Sequence, residues 1–314
     1  MRTVLITGGG YSVDHFHRLA AVGLDPIHEI EIDPERLRHL LPCIEAYILG
    51  GDERLDADLI GIAERLTIIS FVGTGYRDFI DEDAARAKGI SIFNTPAVAT
   101  LAVAEHTIGL ALGLARGLFA QNAAVKHSGI GQPTTREIGE MLVGIIGMGA
   151  VGTRVARILR SAFGCTLYYT SRTRKPELEV ELEMMFVDLD ALFSKCDLII
   201  LLASTTTKDE LVTEARLSLA RPGLLLINTA NPRLVSPEAL KLAIASGQVA
   251  AAAFDGYWIE PLPAPDVDPH GLLRLPDRQF VITPHTAAKT RGTWERMVTL
   301  AVDNVTRYIE GSTR

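Results

Sequence analysis

Cysteine is scarce in this chain of 314 residues: Cys43, Cys165 and Cys196 are the whole set. An odd, widely spaced trio builds neither a disulfide framework nor a zinc-ligand pattern, so no metal is expected. Aromatic residues make up only 6% of the chain, and basic charge is not in excess, since the formal net charge is −7. That balance argues against nucleic acid or an anionic membrane as a partner. A clean membrane-length run is also missing. Residues 101–120 are nearly all apolar, but Glu105, His106 and Arg116 interrupt them, and a spanning helix needs ~20 consecutive apolar residues. The opening MRTVLITGGG lacks the apolar core and small-residue cleavage site of a secretory leader, so a cytoplasmic location is expected.

What is present is repetition of strand and helix. The length fits about two domains at ~150 residues each. Short apolar runs predict strands at 3–7, 26–32, 46–49, 66–72 and 90–93, with helices at 15–21, 34–41, 56–65 and 81–88 between them. Residues 101–119 then predict one long helix buried on several sides, and the polar stretch 126–140 reads as a connection. The pattern restarts with strands at 142–146, 166–170, 198–202, 224–228, 250–254 and 280–283, separated by helices at 151–163, 189–195, 214–219 and 237–246. A last helix over 290–310 is expected to return to the first domain. Continuous apolar strands alternating with helices predict an α/β fold: two doubly wound parallel-sheet domains, Rossmann-like and flavodoxin-like, with a cleft between them.

One turn in this frame carries chemistry. Gly147-Met148-Gly149-Ala150-Val151-Gly152 follows the apolar run LVGII and opens a helix. Gly147 permits the tight turn, Gly149 lets backbone approach a pyrophosphate, and Gly152 lets helix pack on strand. The phosphates then meet N–H groups at the helix start. An NAD site usually carries an acid ~20 residues on, for the ribose hydroxyl. Here the next strand ends in Thr170-Ser171-Arg172-Thr173-Arg174-Lys175, with no acid. Thr170, Ser171, Arg172 and Arg174 suit a 2′-phosphate through charge-assisted hydrogen bonds, which favours NADP(H). A solvated basic turn in an enzyme that accepts NAD(H) is the alternative.

Several segments together resemble the D-isomer-specific 2-hydroxyacid dehydrogenases. They are VGTGYRDFIDEDAARAKGISIFNTP at 72–96, VAEHTIGLALGLAR at 103–116, GIIGMGAVGTRVA at 144–156, and the SRTRK run at 171–175, which is similar to glyoxylate and hydroxypyruvate reductases of that family. The resemblance implies a discontinuous substrate domain from 1–98 and 286–314 around a dinucleotide domain at 99–285, and a homodimer. It implies that His285, in ITPHTA, donates a proton to the substrate carbonyl. It places Glu260, in FDGYWIEP, beside that histidine, where a carboxylate favours the imidazolium. Asp255 matches a residue that meets the nicotinamide carboxamide. Thr100, Ala203, Ser204, Thr205, Thr229 and Ala230 fall at further cofactor positions. Gly50, Gly51 and Gly73 fall where loop backbone meets a small-molecule substrate.

The sequence departs from the family at one position. The family pattern Asn-x-Ala-Arg-Gly, whose arginine grips the substrate, is met here by Asn228-Thr229-Ala230-Asn231-Pro232. Asn231 cannot form a bidentate cationic fork. Losing a preorganised donor of this kind costs ~3–4 kcal/mol in the transition state. Arg233 could fold back, although Pro232 constrains the chain between them. Arg77, Lys289 or Arg291 could supply the charge instead. Or the substrate is less acidic, and Asn231 bonds a neutral carbonyl or hydroxyl; this third reading is favoured. Tyr257 and Trp258 would then wall a bulkier substrate, with plain core packing as the alternative. A dinucleotide-binding sensor that has lost turnover is the competing function, and retention of both His285 and Glu260 argues against it.

Overall fold

The computed structural model describes residues 2–127, 135–203 and 210–312. The chain forms two compact units, Met1–Ala99 with Lys289–Arg314, and Thr100–Ala288.

The first unit runs β1 (Arg2–Thr7), α1 (Val13–Ala21), β2 (Leu24–Glu29), α2 (Pro34–Leu40), β3 (Ala46–Leu49), α3 (Ala57–Ile62), β4 (Ile68–Phe71), α4 (Glu82–Ala87) and β5 (Ser91–Phe93), and the C-terminal helix Arg291–Ser312 completes it. The parallel sheet has the order β2-β1-β3-β4-β5. Strand alternation sorts the side chains. Val4, Ile6, Ile48 and Ile68 face Leu19, Val298 and Val302 on one side. Leu5, Tyr47, Leu49 and Ile69 face Leu37, Leu41, Ile60 and Ala85 on the other. Both faces are covered, which is why β3 and β4 are buried throughout and apolar but for Ser70. Asp33, Asp56 and Asp81 end the connecting loops as N-caps, each accepting a backbone N–H of the following helix.

The second unit runs α5 (Thr100–Ala115), α6 (Leu118–His127), β6 (Leu142–Ile146), α7 (Ala150–Phe163), β7 (Thr166–Thr170), α8 (Pro176–Leu182), β8 (Met185–Phe186), α9 (Leu189–Lys195), β9 (Leu198–Leu201), α10 (Glu214–Leu219), β10 (Leu224–Asn228), α11 (Pro237–Ser246), β11 (Val249–Asp255) and β12 (Phe280–Thr283). Its seven-stranded sheet has the order β12-β11-β10-β9-β6-β7-β8, parallel throughout. The order reverses between β6 and β9, and the loops leaving the C-terminal ends of these strands form the crevice where such sheets bind ligands.

Two expectations need correction. Sequence reading places six strands in this unit and misses β8 with α8 before it. Met185 and Phe186 are both exposed at the sheet edge, so a two-residue strand leaves no periodicity to read. The apolar stretch 101–119 is not one helix either. It breaks at Gly117, with φ of 60°, and α5 and α6 meet at a 60° bend. The bend folds Phe119 back over Gly113, where any β-carbon would overlap the ring. Among the described residues no single helix is long and apolar enough to cross a membrane; the bent pair passes on length and composition alone. Half of α5 is buried in its own unit, including Ala104, Ile108, Leu110 and Ala111.

Candidate active site

Two of the three glycines of the turn after β6 are required by sterics. Gly147 sits at φ of 103°, and a β-carbon there would stand 2.5 Å from the Ala203 nitrogen. Its N–H bonds the Thr170 carbonyl at 2.9 Å. A β-carbon on Gly152 would overlap the Gly147 carbonyl oxygen, so α7 lies against the turn. Gly149 differs: a β-carbon would meet nothing within 4 Å, and this N-cap residue offers the helix no side-chain cap. The first turn of α7 thus has no side-chain cap and open space beside Gly149, an arrangement that fits a diphosphate. Met148 is buried in the core, Ala150 is exposed and Val151 half-buried on the first turn. Ser204 and Thr205 lie outside the described residues.

The turn after β7 is built by its own side chains. Arg174 makes a bidentate bond to Glu179 at 2.8 and 2.7 Å and lies over the Phe186 ring. Tyr169 donates its hydroxyl to the same carboxylate at 2.7 Å. Arg174 first, and then Tyr169, pull the Glu179 carboxyl down to about 2. Ser171 donates to the Thr173 carbonyl at 2.7 Å. Arg174 is thus committed to shaping this turn, and both Arg172 and Arg174 are exposed on it.

At the far edge of the sheet, Asp255 and Thr283 end β11 and β12 in register. Asp255 is 5% exposed. Its carboxylate accepts the Thr283 hydroxyl at 2.6 Å and the backbone N–H groups of Thr286 and Ala287, each at 2.8 Å. These donors bracket His285, whose backbone is left-handed at φ of 54° and whose N–H turns back to the Thr283 carbonyl at 2.9 Å. Such a conformation in a non-glycine residue needs support from its surroundings. The imidazole Nδ1 lies 3.1 Å from Glu260 Oε2, with the His285 side chain 58% exposed. The Tyr257 N–H reaches the other Glu260 oxygen at 3.3 Å. Gly256 gives the pair room, because a β-carbon there would stand 2.9 Å from that oxygen.

His106 also belongs to this cluster and sequence reading did not assign it. From α5 its Nε2 reaches the Thr283 hydroxyl at 3.0 Å. The available signal was an imidazole inside an otherwise apolar helix. Thr107, the next residue, shares a hydrogen bond with Thr229 at 2.7 Å, and Ala230 donates its N–H to Asn228 at 3.0 Å. Thr100 starts α5.

Asn231 is the N-cap of a short 3-10 turn, and its side-chain oxygen accepts the Arg233 N–H at 2.9 Å. Part of its hydrogen-bonding capacity therefore serves the backbone. The apolar substrate wall expected of Tyr257 is corrected: that residue is 3% exposed in the core, donates its hydroxyl to Asp268 at 2.8 Å, and burial raises its pKa strongly. Trp258 is held at the core's edge, its indole N–H on the Val235 carbonyl at 2.9 Å and its ring beside Phe254 and His270.

In the first unit, Gly50 and Gly51 line a cavity of about 820 Å³ with Arg54, Lys289, Arg291 and Trp294, and the acids Glu31, Asp52 and Glu53 line it too. The Gly50 N–H points inward to the Thr7 hydroxyl at 3.3 Å. Glu53 in the same loop accepts the Tyr47 hydroxyl at 2.7 Å and also that of Thr7. Gly73 is fixed by crowding, since a β-carbon would stand 2.6 Å from Phe71. Arg77 is bound to Glu82 at 2.7 Å. Among the described residues Lys289 and Arg291 make no ion pair.

Comparison with known proteins agrees with this geometry. Residues 108–287 match the family model of the D-isomer specific 2-hydroxyacid dehydrogenase NAD binding domain. A glyoxylate reductase of Thermococcus onnurineus is 33% identical over 293 residues, 90% of this chain and 85% of that one. The crystal structure of the TT0316 protein from Thermus thermophilus is 30% identical with a TM-score of 0.85, covering 98% of this chain and 97% of its own. That of a D-lactate dehydrogenase from Aquifex aeolicus, complexed with NAD and lactic acid, is 27% identical with a TM-score of 0.85, covering 98% and 95%. With its two parallel-sheet units and its glycine turn, the chain belongs to the D-isomer-specific 2-hydroxyacid dehydrogenase family.

Proposed function

We propose that this chain reduces the carbonyl of a 2-oxo acid to the alcohol, with His285 giving the proton to the carbonyl oxygen; the glyoxylate reductase named among its relatives supports this class over the less acidic substrate that the sequence alone favours. When bound, a reduced nicotinamide dinucleotide supplies the hydride to the carbonyl carbon. The observation that carries the reading is the 3.1 Å contact between His285 Nδ1 and Glu260 Oε2. A carboxylate there keeps a proton on Nδ1, aims the opposite ring nitrogen outward and stabilises the imidazolium that must exist before the proton leaves. A sensor without turnover has no use for such a pair.

Absence of an acid after β7, with Ser171 and Arg172 in its place, supports NADPH as the preferred cofactor. The substrate's negative charge is assigned to Lys289 and Arg291, which line the same cavity as Gly50 and Gly51. Asn231, whose oxygen already serves the Arg233 N–H, is assigned the neutral carbonyl or hydroxyl side of the substrate. Exposed Leu101, Leu118 and Val125 on α5 and α6 support a homodimer through that surface.

The test is NADPH oxidation across glyoxylate, hydroxypyruvate, larger 2-oxo acids and neutral ketones. Turnover of 2-oxo acids is expected, with loss of at least ~100-fold in kcat for His285→Ala. Unchanged kcat in that variant, or tight cofactor binding with no turnover of any carbonyl compound, would reject the reading.

A further inference from the structure

The single imidazole of α5 lies at the far end of the hydrogen bonds that hold the His285 loop. Thr283 has one hydroxyl proton and two acceptors within reach: Asp255 Oδ1 at 2.6 Å and the Phe254 carbonyl at 3.3 Å. The shorter bond to a carboxylate is the stronger one. With the proton directed there, the Thr283 oxygen is an acceptor toward His106, and the 3.0 Å contact is a donation from Nε2–H. The tautomer of His106 is thereby defined. Direct contact between the imidazole and the carboxylate is longer, at 3.8 Å, so the threonine is the connecting atom group.

We propose that His106 is a positioning residue for the reaction: through Thr283 it orients the Asp255 carboxylate, which in turn fixes the loop carrying His285. The proposal rests on the reading of His285 as proton donor. It extends it by giving a role to a half-buried histidine that the proposed function leaves unused. Asp255 alone cannot define the loop. Its Oδ1 accepts from both Thr283 and the Thr286 N–H, and Oδ2 accepts from the Ala287 N–H. A carboxylate with three donors has a single rotamer that satisfies all of them, and the Thr283 hydroxyl is the one donor that rotates freely. His106 removes that freedom by occupying the lone pair on the other side. In its absence the hydroxyl is free to sample the Phe254 carbonyl as well, the carboxylate keeps that donor for less of the time, and the left-handed backbone at His285 loses part of its support.

The experiment compares His106→Leu, which keeps an apolar body on α5, with His106→Gln, whose amide nitrogen restores a donor near Nε2. Thr283→Val and the double variant His106→Leu/Thr283→Val complete the set. Two readouts are needed: kcat and KM of the intact enzyme, and hydrogen–deuterium exchange of the peptide covering residues 284–288. Expected for His106→Leu is a kcat lowered roughly 3- to 10-fold, a clearly smaller loss of NADPH affinity through Asp255, and faster exchange at Thr286 and Ala287. His106→Gln recovers most of both. The double variant loses no more than Thr283→Val alone, because both act on one bond. Unchanged exchange and kcat in His106→Leu would overturn the proposal, as would additive losses in the double variant. A fall in NADPH affinity equal to the fall in kcat would also overturn it. If the wild type reduces no carbonyl compound, the reading of His285 fails, and the exchange data alone decide the relay.

Discussion

Asp255 and Ala287 are joined across the loop after β12 by a bond of 2.8 Å from backbone N–H to carboxylate, and Thr286 donates to the other oxygen at the same distance. One buried side chain therefore ties down both residues that follow His285. Family resemblance assigns Asp255 to the cofactor; the geometry gives it an architectural role as well. The prediction is specific to Asp255→Asn. The amide keeps one acceptor but turns a second N–H group toward a backbone N–H that it cannot satisfy. A hydrogen bond to a buried charge contributes about 1.5–3 kcal/mol, so denaturant unfolding should show a loss of that order. kcat should fall at least tenfold with the His285 loop released. Stability and kcat both within error of wild type would mean that the loop is held by something else.

The glycine turn separates packing from binding. Gly152→Ala places a methyl group on the Gly147 carbonyl, and Gly149→Ala places one in open space. Overpacking costs about 1–3 kcal/mol, so the Gly152 variant should lose stability before any question of ligand arises. Gly149→Ala should unfold like wild type and yet bind NADPH at least tenfold more weakly, because its methyl group occupies the approach to the first turn of α7. Fluorescence titration with parallel thermal melts distinguishes the two. A Gly149 variant with normal affinity would remove the phosphates from this helix start.

Much of this was legible in advance because the periodicities are strong. The apolar strands β3 and β9, and Leu224–Ile227 of β10, are buried on both faces, and that is what a continuous run encodes. The glycine turn is legible because Gly147 and Gly152 answer local steric demands and Gly149 keeps the start of α7 open. Two short features were not. β8 is an exposed edge pair with no alternation, and the break at Gly117 depends on Phe119 folding onto Gly113, a contact no local pattern records. The site shows the same division. His285 and Glu260 lie in recognisable motifs. His106 and Thr283 are joined across 177 positions by one hydrogen bond, so their partnership is a property of the folded chain alone. Tyr257 reads as a candidate substrate wall because an aromatic beside Glu260 looks available; its hydroxyl is spent on Asp268 in the core.

Arg172 and Arg174 look alike in sequence and differ in the fold. Arg174 is held by Glu179 and Phe186, and Arg172 stands after β7 where an NAD site usually carries its acid, the position proposed above for a 2′-phosphate. Arg172→Asp replaces a cation by an anion at that position. It should weaken NADPH at least tenfold while leaving NADH unchanged or improved, because an acid there accepts from the ribose hydroxyl. Arg174→Ala should instead loosen the turn and weaken both dinucleotides alike. Equal weakening of NADPH and NADH by Arg172→Asp would reject the assignment.

The three thiols should divide by burial. Cys165 and Cys196 are buried, and Cys43 is exposed. Burial pushes the Cys196 thiol up to about 12, and it raises that of Cys165 in the same direction. The thiolate is the reactive form; a raised pKa means that at pH 8 the buried pair is almost wholly protonated, and the surrounding core also excludes reagent. Cys196 lies in the core beside Leu192 and Gly144, beneath the strand that leads into the glycine turn. A native sample treated with a coloured disulfide reagent at pH 8 should therefore titrate one thiol rapidly, and the same sample in denaturant should titrate all three. Cys43→Ser should abolish the rapid phase without altering turnover. Rapid reaction of a second thiol in the native protein would show that the core around β6 and α9 opens on the time scale of the assay, and that the cofactor turn resting on it is less rigid than its packing implies.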